Sequence, residues 1–270
     1  MPDTNKPIAL ETKGGEDLPA PGACPSCGSQ LRESLINDNY MACPSCETFF
    51  RKQAETVSPE EEGVKESYRE RAISILYSDK KHYEQFYSNP FIVEKFRIPL
   101  MNRDLILAVG GGHPKLESYL NPKTIEICDL FPDVYLEALE QFRSVYSYDG
   151  EIRYHRVKID ESYSPPVIRD GGSFLITFVH FLEHLDYQSV IKVMGNLPGN
   201  TDVAIYGPNP EKKPIDHDWI HFRPADHLTL IPLKRFRDLL SDMGYVINYY
   251  TAYSDDLLIY FNTSHRGVIG

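Results

Sequence analysis

Two identical tetrapeptides, Cys24-Pro25-Ser26-Cys27 and Cys43-Pro44-Ser45-Cys46, hold four of the five cysteines, with fifteen residues between the pairs. Two residues between thiols let one turn bring both sulfurs to the same ion, and a second such pair completes a tetrahedron. The spacing predicts a four-thiolate zinc site at Cys24, Cys27, Cys43 and Cys46, with Gly28 forming the tight turn after the first pair. Four sulfurs leave no position open to a substrate, so the zinc reads as structural. A pair of disulfides is the alternative. The first residues lack the apolar centre of a secretory leader, and no apolar run reaches the ~20 residues of a membrane span. The expected compartment is therefore a reducing cytoplasm, where paired cysteines hold metal rather than disulfides.

A second chemistry gathers between residues 180 and 227, where five of the nine histidines fall: His180, His184, His217, His221 and His227. Carboxylates travel with them, in His180-Phe-Leu-Glu183-His184, in Asp216-His217-Asp218-Trp219-Ile220-His221 and in Asp226-His227. Such groups can act as a general base, line a polar pocket, ligate a divalent cation or cap turns. His180, His184, His217 and His221 are the candidate catalytic residues. Trp219, the only tryptophan, reads as a pocket wall or as packing.

From Leu105-Ile-Leu-Ala-Val109 onward, short apolar runs alternate with helical stretches. Strands are predicted over 105–109, 124–128, 152–159, 174–179 and 202–206, and helices over 134–145, 187–195 and 233–243. A strand pair over 245–252 and 257–262 closes the chain. This predicts an α/β fold, doubly wound and mainly parallel, with seven strands and an antiparallel hairpin at the end. Ligands of such sheets bind beyond the carboxyl ends of the strands, where the strand order reverses. Gly110, Gly111 and Gly112 leave the first strand there, and Asp129 ends the second strand 19 residues after Gly110. An acid so placed accepts hydrogen bonds from ribose hydroxyls. Asp160, after the third strand, suits an adenine amino group or the capping of a turn. Lys115 stands where a dinucleotide fingerprint needs its third glycine, and the phosphate-loop pattern is absent, so adenosine without phosphates fits better.

Ahead of this sheet the chain divides into a flexible tail (1–22), a cysteine module (23–51), an acidic linker (52–65) and a helical cover or lid (66–100), with the sheet domain over 101–270. In the cover, Tyr68, Ala72, Ile75, Leu76, Tyr83, Phe86 and Tyr87 recur at helical spacing. Asn89-Pro90 breaks the run before a short helix over 91–97, and Cys128 reads as buried and inert. The cysteine pattern resembles a zinc ribbon, with Tyr40, Phe49 and Phe50 packed beside it.

The sheet residues resemble the class I S-adenosylmethionine-dependent methyltransferases, particularly the small-molecule branch with a Leu-Glu-His-Leu signature. The likeness runs from about 101 to 263 and rests on Leu107-Ala-Val-Gly-Gly-Gly112, Ile127-Cys-Asp129, Lys158-Ile-Asp160, Phe174-Leu-Ile-Thr-Phe-Val-His-Phe-Leu-Glu-His-Leu185 and Leu197-Pro-Gly-Asn-Thr-Asp-Val-Ala-Ile205. His227 and the stretch from Leu233 to Gly244 are similar to the family's closing helix. The resemblance implies a Rossmann-like methyltransferase sheet with S-adenosyl-L-methionine as cofactor. Gly110, Gly111, Gly112, Asp129, Asp160 and His180 would then line the cofactor site. Two positions depart from the family: Ala108 stands where an acid usually orders the loop and helps hold the methionine end, and Pro114 replaces the loop's third glycine.

With 28 Lys+Arg against 39 Asp+Glu, the formal charge is −11, which argues against coating nucleic acid by bulk electrostatics. The expected partner is a small-molecule or carbohydrate-like acceptor. The alternatives are an rRNA or tRNA methyltransferase, since some of these carry an amino-terminal zinc ribbon, and a non-catalytic scaffold. Lys80-Lys81-His82 with Arg69 and Arg71 is the only obvious basic cluster, and it reads equally as a solvated helix face. The aromatic surface before Arg103 could support a homodimer.

Overall fold

The structure is a computed structural model, and it describes residues 22–34, 39–52, 69, 76, 79–110, 112–160, 162–165, 173–211, 219–222, 227–253 and 255–263. The expected tail before residue 22 and the linker from 53 to 65 lie outside the described residues. Three short strands, β1 (Arg32–Glu33), β2 (Tyr40–Ala42) and β3 (Phe49–Arg51), form an antiparallel ribbon around the cysteines.

The larger sheet begins at β4 (Leu105–Val109) and continues through β5 (Thr124–Asp129), β6 (Glu151–Arg156), β7 (Phe174–Val179) and β8 (Asp202–Pro208). These five run parallel. After β9 (Thr229–Leu230), the hairpin of β10 (Val246–Tyr253) and β11 (Asp256–Asn262) completes the sheet in the order β10-β11-β8-β7-β4-β5-β6. The expected seven-stranded α/β sheet with its closing hairpin is present. β11 inserts antiparallel between β8 and β10, which lays its first residue, Asp256, opposite Pro208 at the carboxyl end of β8.

Alternation along the strands builds two cores, because successive side chains point to opposite faces. Leu107, Val109, Ile176, Phe178, Val203 and Ile205 meet the helices Tyr187–Gly195 and Leu233–Asp242 on one face. Ile106, Ala108, Leu175 and Val179 meet Phe86, Phe96, Leu116 and Phe142 on the other. The aromatic run before residue 100 is thus core cover at Tyr83, Phe86, Tyr87 and Phe96.

Most boundaries fall within one or two residues of expectation, and three elements differ more. The strand expected over 152–159 runs only from Glu151 to Arg156, because β5, its one partner at the sheet edge, ends at Asp129. The helix expected over 134–145 is two, Pro132–Glu137 and Leu139–Tyr146, since Ala138 leaves the helical region at φ −101° and ψ 9°. The turn after Asn89 continues through a π-helical stretch, Val93–Arg97, to Leu100.

The ribbon is also built into the sheet domain. β3 pairs antiparallel with β9, matching Phe49 with Leu230 and Phe50 with Thr229. Tyr40, Phe49, Phe222 and Leu230 share a small core of their own. The Tyr40 hydroxyl donates to the His227 carbonyl at 2.9 Å, and the Arg235 guanidinium donates to Ser26 Oγ at 2.6 Å and to the Ser26 carbonyl, inside the first Cys tetrapeptide. Tyr40→Phe removes one buried hydrogen bond while keeping the ring, so it should lower unfolding stability by about 1 kcal/mol. Amide exchange should quicken at Leu228 and Thr229, which hydrogen-exchange mass spectrometry would show.

Candidate functional site

The strand order reverses between β4 and β7, and ligands of open parallel sheets bind beyond the carboxyl ends of the strands at such a point. Gly110 and Gly112 both adopt positive φ, +69° and +60°, which L side chains rarely adopt. A Cβ at Gly110 would lie 1.8 Å from the Phe181 ring, and one at Gly112 would lie 2.8 Å from Tyr135. Gly111 lies outside the described residues. Asp129 ends β5 buried, and its carboxylate accepts the Phe131 N–H at 2.9 Å. Burial raises its pKa, against backbone donors that include Gly112 and against the nearby His184. Asp160 accepts the Ser162 N–H at 2.9 Å and the Ser162 hydroxyl at 2.6 Å, closing a turn at the end of the β6 connection.

Near Ala108 the structure places an acid from another element. Ala108 pairs in register with Thr177 of β7, and the Thr177 hydroxyl donates to Glu117 Oε1 at 2.5 Å. Glu117 comes from the short helix Lys115–Ser118 after the glycine turn and is 1% exposed. Its Oε2 is buried with no hydrogen-bond partner, and burial raises the carboxyl pKa above its ordinary 4.5. Sequence reasoning missed Glu117. An acid in the helix after a glycine turn was the available signal, but only the register of Thr177 with Ala108 gives it meaning.

His180 follows β7 with φ +48°, a conformation that histidine tolerates better than most residues. Its Nδ1 lies 3.4 Å from Glu183 Oε1, and its Nε2 lies 3.9 Å from Asp256 Oδ1. Burial pulls the His180 pKa down, but the Asp256 and Glu183 carboxylates outweigh it and raise the value to about 9. Burial likewise raises Glu183, and the facing His180, His184 and His227 reverse this to about 2. His221 Nε2 stands 3.4 Å from Asp256 Oδ1, and its ring stacks on His180 with centroids 5.7 Å apart. The Tyr206 hydroxyl donates to Asp256 Oδ2 at 2.8 Å, which leaves its oxygen to accept from His82 Nε2 at 2.7 Å. The structure thus gathers His180, His184 and His221 with His227; His217 lies outside the described residues. Trp219 packs edge-on against His221 and Phe222. Asp256 was also missed, because nothing local marks it.

The four cysteines of the ribbon converge, with all sulfurs within 4.8 Å of one another. The Cys24–Cys46 and Cys27–Cys43 sulfurs are 3.6 and 3.4 Å apart, near the ~3.8 Å that a tetrahedron of ~2.3 Å zinc–sulfur bonds requires. None is in a disulfide. Matching turns form both knuckles: the Gly28 N–H donates to the Cys24 carbonyl and the Glu47 N–H to the Cys43 carbonyl. Cys128, expected to be buried and inert, is buried in the sheet, and that burial raises its thiol pKa.

No protein-family model matches the chain, and no curated protein matches it in sequence. Among solved structures, NcsB1, an O-methyltransferase from neocarzinostatin biosynthesis in complex with S-adenosylmethionine and 2-hydroxy-5-methyl naphthoic acid, is similar at 12% identity and a TM-score of 0.52. The match covers 74% of this chain and 60% of that one. The DhpI–SAH complex is similar at 13% identity and a TM-score of 0.51, over 74% of this chain and 95% of that one. The 16S rRNA methylase RmtB is similar over 73% of this chain and 75% of its own, at 10% identity and a TM-score of 0.46. The likeness to the first two is one of fold: the sheet domain is a Rossmann-like sheet of the methyltransferase type. No helix among the described residues is long and apolar enough to cross a membrane.

Two substitutions test this geometry. Gly110→Ala forces a Cβ into the Phe181 ring at positive φ and should cost about 2–4 kcal/mol, read from the denaturant midpoint. Asp256→Ala strands His180 and the Tyr206 hydroxyl and should cost about 3–5 kcal/mol. Asp256→Asn, which keeps an acceptor for Tyr206, should cost less.

Proposed function

We propose that the protein transfers a methyl group from S-adenosylmethionine to a small-molecule or carbohydrate-like acceptor, and that its four thiolates hold a structural zinc. What supports this reading is the strand-order reversal, where Gly110 and Gly112 take positive φ, Asp129 ends the neighbouring strand and Glu117 keeps one buried carboxylate oxygen without a hydrogen-bond partner. The bound cofactor would supply an electrophilic methyl on a sulfonium. This chain's residues bind and orient. The backbone at Gly110 and Gly112 admits close approach, and Asp129 accepts the ribose hydroxyls. Glu117 Oε2 accepts the methionyl ammonium in place of an acid at Ala108.

On the acceptor side, His180, His184 and His221 form a polar wall ordered by Glu183 and Asp256. Much of the acceleration in a displacement of this kind comes from holding the two reactants in line. The zinc ribbon keeps that wall in place through β3 and β9. Of the basic residues that could face RNA, Arg69 is paired with Glu137 and Lys80 with Glu84, which favours the small-molecule reading.

Calorimetric titration with S-adenosylmethionine and S-adenosylhomocysteine tests the cofactor. Low-micromolar binding is expected, lost in Asp129→Ala and weakened by about 10-fold or more in Glu117→Gln, as for a lost hydrogen bond between charged groups. Absence of binding at millimolar cofactor would overturn the reading. Glu117→Gln carries a second signature. The raised folded pKa means that wild-type stability present below about pH 4.5 is lost as pH rises through the folded value. Gln lacks this titration, so the cofactor-free variant should gain on wild type from about pH 4.5 upward in thermal melts.

A further inference from the structure

Besides the ribbon thiols, Glu183, His184 and His227 form a second convergent set, with one ligand atom from each lying within 4.8 Å of the others. Glu183 and His227 are buried and His184 is half-buried. Each is held by its backbone rather than by a mobile tip. Glu183 and His184 belong to a 3-10 turn at the end of β7. The Leu228 N–H donates to the Glu183 carbonyl at 2.7 Å, and the Tyr40 hydroxyl anchors the His227 carbonyl. His227 Nδ1 contacts the His221 carbonyl at 2.8 Å, and a carbonyl can only accept. Nδ1 therefore carries the proton, which makes Nε2 the electron-pair-bearing nitrogen of that ring. A backbone carbonyl fixing the tautomer in this way is the usual outer support of a metal-bound imidazole.

We infer that Glu183, His184 and His227 bind a divalent first-row transition ion at the carboxyl end of β7, distinct from the ion of the four cysteines. Two imidazoles and one carboxylate suit zinc, manganese, iron or cobalt rather than magnesium or calcium. Three protein ligands leave coordination positions open, unlike the closed sulfur shell. Those positions take oxygen donors of the acceptor, which selects a hydroxyl- or carboxylate-bearing molecule; this last clause rests on the methyltransferase reading, and the ion site does not.

The test uses the full chain with its ribbon zinc quantified by elemental analysis. Mn2+ is then added, and the free ion is followed by electron paramagnetic resonance. The thiolate shell retains zinc against this harder ion, so a bound equivalent reports the second site. One Mn2+ per chain is expected, weakened at least ten-fold in Glu183→Gln and in His184→Gln. His184→Gln, at the less buried position, serves if the Glu183 variant fails to fold. Glu117→Gln should leave Mn2+ binding unchanged while weakening S-adenosylmethionine, so the two readings fail separately. A chain that binds no Mn2+ and holds no divalent ion beyond the ribbon's one equivalent would overturn the site. Binding that survives both substitutions would do the same.

Discussion

The ladder between Phe49–Phe50 and Thr229–Leu230 decides what the amino-terminal ribbon does. A module of three strands with two or three residues each buries too little apolar surface to hold itself together, so its order comes from what ties its ends. The zinc proposed for the four cysteines would tie one end, and the edge of β9 ties the other. The β9 segment directly follows His227 and, through Leu228, hydrogen-bonds the Glu183 backbone. Order in the ribbon is thereby transmitted to the histidine wall by backbone hydrogen bonds and aromatic contacts.

Electrostatics set the second constraint. Asp129, Glu117, Glu183 and Asp256 are all buried at the carboxyl ends of the strands, where each charge is costly unless compensated. Glu183 is compensated from within by His180, His184 and His227, and Asp256 by His180 and His221, which is why their pKa values fall despite burial. For Glu117 and Asp129 the Thr177 hydroxyl, backbone N–H groups and His184 compensate less, and burial keeps their values raised. The division follows the proposed work of the two halves. The acceptor wall is internally neutralised and rigid, whereas the cofactor side keeps hydrogen-bonding capacity that a cationic, hydroxylated ligand would satisfy.

Much of this was legible along the chain. Continuous apolar runs such as Leu105–Val109 and Phe174–Val179 can only be central strands, and the paired Cys tetrapeptides constrain one another through a small loop. Their chemistry lies within a few residues, so spacing suffices. The break at Ala138 was not legible, because no proline or glycine marks it, and the prolines at 90 and 99 flag a disturbed helix without specifying the π-helical pitch of Val93–Arg97.

The sequence by itself determined the α/β class, the glycine turn with Asp129, the convergence of four thiols and the richness in histidine between 180 and 227. Each is a property of residue type and local period. Only the tertiary structure decided that Asp256 meets His180 and His221, that Glu117 meets Thr177, and that Tyr40 buttresses His227. Those relations cross 35 to 187 residues of chain and depend on strand order, on the antiparallel insertion of β11 and on the register of β4 against β7. The physical reason is that a strand's own residues specify which face is buried, while its neighbours are chosen by the packing of the whole sheet.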